Sequence, residues 1–263
     1  MKLTETTEQH VKKRISSANL LSVLRIIWTD VLLMDDVLHE AVLPDFSLEA
    51  ALIAVREYII STFSHLLQDI SDAVMKVNSR QKDEVEEYSL QAALEGSKKA
   101  VLQGSMDVLL DFCRLLEDDD LGLVVKLRDL VIDWVQEGFH DFFRSLDQRF
   151  HMLSRRKNAL SQDQNLTVEG SHGDKVFPGL VLVLAQLSIF IEQTVIPRIT
   201  EEIAASFSAG GVRGYENGPA FVPGVICRIF RSAVEELLHH YIKMRTQRIS
   251  IILRKRFTTP NWI

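Results

Sequence analysis

Two short motifs, Glu137-Gly138-Phe139-His140 and Glu236-Leu237-Leu238-His239, carry residue types that can hold a metal. In di-iron helical bundles two Glu-x-x-His motifs and two further glutamates project inward from four helices, because residues i and i+3 share one helix face. Glu57 and Glu192 would supply the other two carboxylates in the right helix order. With 18 Glu and 8 His in 263 residues, about half of one such motif arises by accident, so orientation must decide. At ~100° per residue, Glu137 falls about 180° from the seam of Val135, Phe139 and Leu146, towards solvent. Glu236 and His239 likewise sit off a seam of Ile229, Ala233 and Leu237. A solvated helix surface is therefore expected, with a di-iron carboxylate metalloenzyme as the competing reading.

Other constellations carry less. His239 and His240 are adjacent, so on a helix they point ~100° apart and do not chelate together. Gly210-Gly211-Val212-Arg213-Gly214 lacks the preceding strand and the following Gly-Lys-Ser/Thr of a phosphate loop. Gly-x-Ser-x-Gly, His-Glu-x-x-His and Cys-x-x-Cys are absent from the sequence, which removes the commonest hydrolase, zincin and redox signatures. The residues assign no catalytic group, no metal and no cofactor, and the expectation is a protein that is not an enzyme.

The elements that would position these residues are helical. Apolar residues recur at spacings of three and four in Leu20, Leu24, Ile27, Val31, Met34 and Leu38, with Asn19 as N-cap. A turn at Pro44-Asp45-Phe46-Ser47 precedes a long second helix through Leu48, Leu52, Val55, Ile59, Phe63, Leu66, Ile70 and Val74, which Asn78-Ser79-Arg80 ends. A weaker helical pattern covers residues 83–117, interrupted by Gly96 and Gly104. Past the acidic run 118–120, Leu127, Val131, Val135, Phe139, Phe142, Leu146, Phe150 and Leu153 form the clearest face in the chain. Residues 154–179 lose the apolar period and read as a flexible linker or loop. A helix over residues 180–207 contains Pro197, where a kink is expected. Residues 208–224 are irregular, and a last helix runs from 225 towards 256. The fold class is all-α: an elongated helical rod or bundle of about five to six long helices, divided into an N-terminal bundle (1–153), the linker (154–179) and a C-terminal helical segment (180–263).

Gly and Pro together number 18 of 263 residues, too few to punctuate many short strands. The apolar fraction of 46% and charged fraction of 25% are those of a folded globular chain rather than a disordered one. A net charge of −6 argues against a dedicated nucleic-acid binder. Cys113 and Cys227 are too few for a disulfide framework. The polar start, Met1-Lys2-Leu3-Thr4-Glu5, has no secretory core, which leaves the acceptor triplet Asn165-Leu166-Thr167 unused. Residues 176–191 are mostly apolar but fall short of the ~20 residues of a membrane span, so a buried helix is expected.

Charge is unevenly spread. No Lys or Arg lies between Arg25 and Arg56, whereas residues 228–256 hold eight basic residues against Glu235 and Glu236. The cluster Arg245, Arg248, Arg254, Lys255 and Arg256 could meet an acidic partner, an acidic lipid surface as a peripheral membrane module, or water alone. Neutralisation by Asp30, Asp35 and Asp36 is the alternative internal to the chain.

Three stretches are more than generic: Leu24-Arg-Ile-Ile-Trp-Thr-Asp-Val-Leu-Leu-Met-Asp-Asp36, Phe190-Ile-Glu-Gln-Thr-Val-Ile-Pro-Arg-Ile-Thr-Glu-Glu-Ile-Ala-Ala205 and Phe257-Thr-Thr-Pro-Asn-Trp262. With Gly218-Pro-Ala-Phe-Val-Pro-Gly224 and the basic last helix, they resemble the vacuolar protein sorting-associated protein 51 family, its plant members above all. The likeness covers most of the chain; residues 162–175 depart from it. The resemblance implies a non-catalytic subunit of the Golgi-associated retrograde protein (GARP) complex and the endosome-associated recycling protein (EARP) complex, which tether vesicles in endosome-to-trans-Golgi transport. It implies assembly with vacuolar protein sorting-associated proteins 52 and 53, and with 54 or its endosomal counterpart. It also implies a cytoplasmic location, peripheral at the trans-Golgi network and recycling endosomes. Family members carry a preceding helical coil, linked to assembly and SNARE contact, and continue past the Thr-Pro-Asn-Trp motif, so the resemblance implies an internal piece of such a subunit.

Overall fold

A computed structural model describes residues 22, 44–79, 86–117, 122–155, 178–207 and 221–258. The predicted first helix, apart from the helical Ser22, and most of the predicted linker lie outside these residues. Among the described residues there are five long helices and no strand: α1 (Pro44–Ser79), α2 (Glu86–Glu117), α3 (Gly122–Arg155), α4 (Pro178–Phe207) and α5 (Pro223–Thr258).

Three of the five begin at a proline: Pro44, Pro178 and Pro223. The first turn of a helix has no intrahelical partner for its N–H groups, so proline's missing donor costs nothing there and its fixed φ suits the helix. This corrects the turn expected at Pro44-Asp45-Phe46-Ser47, which is the opening of α1. It also moves the start of α5 two residues earlier than expected. The interruptions expected at Gly96 and Gly104 do not occur; α2 runs unbroken through both. Gly104 sits where a Cβ would come 2.5 Å from Leu66 Cδ1, so its small size serves a close approach between α1 and α2.

The described residues divide into two compact units. Within the described residues the first draws on 22, 44–69, 102–117, 122–143, 197–207 and 221–223, and the second on 70–79, 86–101, 144–155, 178–196 and 224–258. In the first, α1 and α3 present buried aromatic rings at helical spacing. Phe63 lies 4.9 Å from Phe139 edge-on, 5.7 Å from Phe112 and 5.9 Å from Phe142. Phe139 and Phe143 also meet Phe221, just ahead of α5. Such rings bury the largest apolar areas available and add a directional ring-ring term. Gly138 makes the approach possible: a Cβ there would lie 2.7 Å from Phe63 Cδ2 and nearer still to the next ring carbon.

The second unit is largely aliphatic. Leu180, Val181, Val183, Leu184, Leu187, Ile191 and Val195 of α4 are all buried, as are Leu146 and Phe150 of α3 and Ile70 and Val74 of α1. The first stretch of α4, Pro178–Phe190, is apolar almost all round, the pattern of a helix enclosed on every side. It is 30 residues long with a mean hydropathy of 1.9 over its most apolar stretch, so length alone would let it cross a membrane. The expectation that this segment falls short of a span is thus corrected. What marks it as a core helix is burial: Gly179, Ala185 and Ser188 are enclosed along with the large side chains.

Pro197 lies inside α4, and the expected kink takes a specific form. Residues Ile191–Val195 form a π turn, in which Ile196 N–H donates to Ile191 O. A proline ring collides with the carbonyl four residues back and has no N–H to give. A wider turn placed just before it relieves the clash while the helix continues.

Candidate interaction surface on the last helix

The first half of α5 is a core element. Ile226, Phe230, Ala233 and Leu237, at spacings of four, three and four, are buried, and Phe230 meets Phe150 edge-on at 6.5 Å. Phe230 replaces Ile229 in the seam expected from sequence; Ile229 is only half-buried. The shift is one residue, and a ring fills the space that a branched aliphatic would leave.

Two polar clusters tie α5 to the rest of its unit. At the π turn, Arg231 donates from Nε and Nη2 to Glu192 Oε1, the former at 2.9 Å. The carboxylate and its hydrogen bond hold the Arg231 proton more tightly. The Glu192 carbonyl is short of partners: its ordinary donor, Ile196 N–H, goes to Ile191 O, and the next residue is Pro197. Cys227 Sγ donates to that carbonyl at 3.8 Å. Burial first, and the nearby Glu192 carboxylate second, push the thiol pKa up, so Cys227 stays protonated and able to donate.

In the other cluster, Glu236 Oε2 accepts from His151 Nε2 at 3.2 Å and lies 3.5 Å from Arg155 Nη2. His151 Nδ1 faces the Asp147 carbonyl at 3.0 Å and Asp147 Oδ1 at 3.4 Å. Both ring nitrogens thus face oxygen atoms. Asp147 Oδ1 is buried without a hydrogen bond. Burial raises the Asp147 pKa, with His151 opposing and Glu236 adding to the rise. Asp147 and His151 stand four residues apart, a spacing legible in the sequence; that Glu236 would join them was not, because no local pattern links positions 85 apart.

The residues that suggested metal chemistry do not converge. Glu137 and Glu57 are exposed, Glu192 pairs with Arg231, and Glu236 pairs with His151 and Arg155. His140 sits 3.5 Å from Asp141, and His239 is exposed. Among the described residues no group of three or more His, Cys, Asp or Glu is placed to hold an ion. Cys113 and Cys227 form no disulfide.

The second half of α5 is of another kind. Every residue from 245 to 257 is exposed, including Arg245, Arg248, Arg254, Lys255 and Arg256. Large apolar side chains are exposed with them: Ile242 at 60%, Ile249 at 57%, Leu253 at 49% and Phe257 at 76%. Arg245 lies over the Tyr241 ring at 5.8 Å. Asp30, Asp35 and Asp36, considered above as internal counter-charges, lie outside the described residues. A helix end that combines uncovered apolar groups with one sign of charge is suited to recognition rather than to bond-making chemistry.

Comparison with known proteins identifies the chain's relatives. A vacuolar protein sorting-associated protein 51 homolog from Arabidopsis thaliana is 52% identical over 259 residues, which is 98% of this chain and 32% of the relative. The chain belongs to the vacuolar protein sorting-associated protein 51 family. A homolog of the same name from Gallus gallus is 32% identical over 87 residues, covering 33% of this chain and 10% of that protein. The chain thus spans about a third of the length of the Arabidopsis family member. No family profile matches it, and no solved structure does.

Proposed function

We propose that this chain acts as a non-catalytic part of a multisubunit vesicle-tethering complex, the GARP and EARP complexes, in endosome-to-trans-Golgi retrograde transport. The observation that carries the reading is the 52% identity to a vacuolar protein sorting-associated protein 51 homolog along almost the whole chain. The all-helical build supports it, since long helices offer extended surfaces for assembly. Its partners on this reading are vacuolar protein sorting-associated proteins 52 and 53, with 54 or the endosomal counterpart of 54. Its location is the cytoplasmic face of the trans-Golgi network and recycling endosomes. Arg245, Arg248, Arg254, Lys255 and Arg256 contribute contacts to an acidic surface in that assembly, by attraction that salt screens beyond ~8 Å.

The test is affinity purification of the chain from cells with identification of what accompanies it. Co-purification of the other tethering subunits supports the reading. Their absence, with the chain folded and expressed, sinks it. Reversal of Arg254, Lys255 and Arg256 to Glu should reduce co-purification at unchanged helix content if the basic cluster takes part; undiminished recovery at low salt would remove the cluster from the interface.

A further inference from the structure

The uncovered half of α5 is organised more finely than a basic patch. At ~100° per residue, Ile242, Thr246, Ile249, Leu253 and Phe257 fall within an arc of about 80°. The centre of that arc lies about 170° round the helix from the seam of Ile226, Phe230, Ala233 and Leu237. The helix is therefore buried along one side in its first half and offers an uncovered stripe on the opposite side in its second. The stripe repeats at spacings of four and three, as an interhelical seam does. Arg245 and Arg256 border it on one flank and Lys243 and Arg254 on the other. Residues 237–258 contain six basic residues and no Asp or Glu.

We infer that this stripe is a docking seam for an amphipathic α-helix of a different protein, one with an apolar ridge flanked by Asp and Glu. Flanking charges choose partner and orientation in such pairings, and Lys243 and Arg245, one on each flank of a stretch without Asp or Glu, call for acids. A second copy of this chain is disfavoured by the same charges, because pairing the stripe with itself would set the Lys243 and Arg245 flanks against like charges. A lipid surface fits less well. A helix lying in a membrane interface needs its apolar groups gathered on one face, whereas Ile252 lies about 100° from the stripe centre and Ile251 about 160°. Both are exposed. The inference deepens the tethering reading and rests on it for the source of the partner, while the seam itself stands on the exposure and spacing of these residues.

The test uses the whole chain and a defined probe: a synthetic helical peptide about four heptads long, with Leu and Ile in its seam and Glu on both flanks. A matched peptide with Lys flanks and vesicles rich in phosphatidylserine are the controls. The acidic peptide should bind, progressively less as salt rises, and the Lys peptide should not. Ile249→Glu with Leu253→Glu should weaken acidic-peptide binding at least about tenfold at unchanged helix content, as these side chains are exposed. Lys243→Glu with Arg245→Glu should shift preference towards the Lys peptide, an outcome that misfolding cannot mimic. Equal binding of both peptides, or vesicle binding without acidic-peptide binding, overturns the inference. Acidic-peptide binding without co-purifying tethering subunits would leave the seam intact and remove the tethering reading. Co-purifying subunits without acidic-peptide binding would do the reverse.

Discussion

Over residues 226–237 the last helix buries Ile226, Phe230, Ala233 and Leu237, whereas over residues 245–257 every side chain is exposed, although Ile249, Ile251, Ile252, Leu253 and Phe257 are as apolar as those in the first half. Apolar residues recur at helical spacing in both halves, so that spacing alone does not account for the difference. What differs is the surroundings: Phe150 of α3 lies against Phe230, and the Glu192 and His151 clusters hold the same stretch from its polar side. Apolar spacing makes a helix amphipathic, and burial depends on whether another element is there to receive it.

The largest expected contrast is between Phe230 and Ile249. Phe230→Ala should destabilise by about 3–5 kcal/mol, because it leaves a cavity in a packed interior. Ile249→Ala should stay within about 0.5 kcal/mol, since the side chain has little burial to lose. Denaturant titration of both variants measures this, and comparable losses would mean that the second half of α5 is covered in solution.

Two glycines should separate in sign. Gly138→Ala should cost about 1–3 kcal/mol, because the new methyl meets the rigid Phe63 ring. Gly96→Ala has nothing within 4 Å of its added carbon, and should stabilise by up to about 1 kcal/mol through helix propensity. Melting temperatures that move in one direction for both would show that the approach at Gly138 is looser than described.

A smaller effect is expected at Asp147. Its pKa is raised by burial, so the fold favours the protonated form; the associated stability is fully present below the unfolded value, near 3.8, and is lost as pH climbs through the raised one. Asp147→Asn removes the buried charge and should stabilise by about 1 kcal/mol at pH 7, a gain that vanishes on acidification below the unfolded value. Equal gains at pH 7 and pH 3 would assign the effect to packing. Loss of stability at pH 7 would show that the His151 interaction outweighs desolvation.

The smallest effect, and the one most sensitive to the comparison, concerns the exposed cations. Arg248→Ala should change stability by less than about 0.5 kcal/mol, as surface charges on a helix generally do. A larger loss in chemical unfolding would place Arg248 against a structural partner.

The helix-forming period of three and four was legible along α1, α3 and the first half of α5, because it reflects a local geometry that each segment carries within itself. The exposure of Glu137 followed from the same geometry. The family likeness was also present in the residues themselves, in Phe190–Ala205 and the stretches beside it. Other features needed the fold. Gly104 and Gly138 read locally as weak helix formers, and their purpose appears only where Leu66 and Phe63 approach. Pro197 signalled a disturbance, but its answer, a π turn whose stranded Glu192 carbonyl takes the Cys227 thiol, depends on a residue 35 positions away. Sequence determined which faces were apolar, since that is fixed by side-chain type and helical pitch; tertiary structure decided which of those faces were buried, since burial requires a second surface brought from elsewhere in the chain.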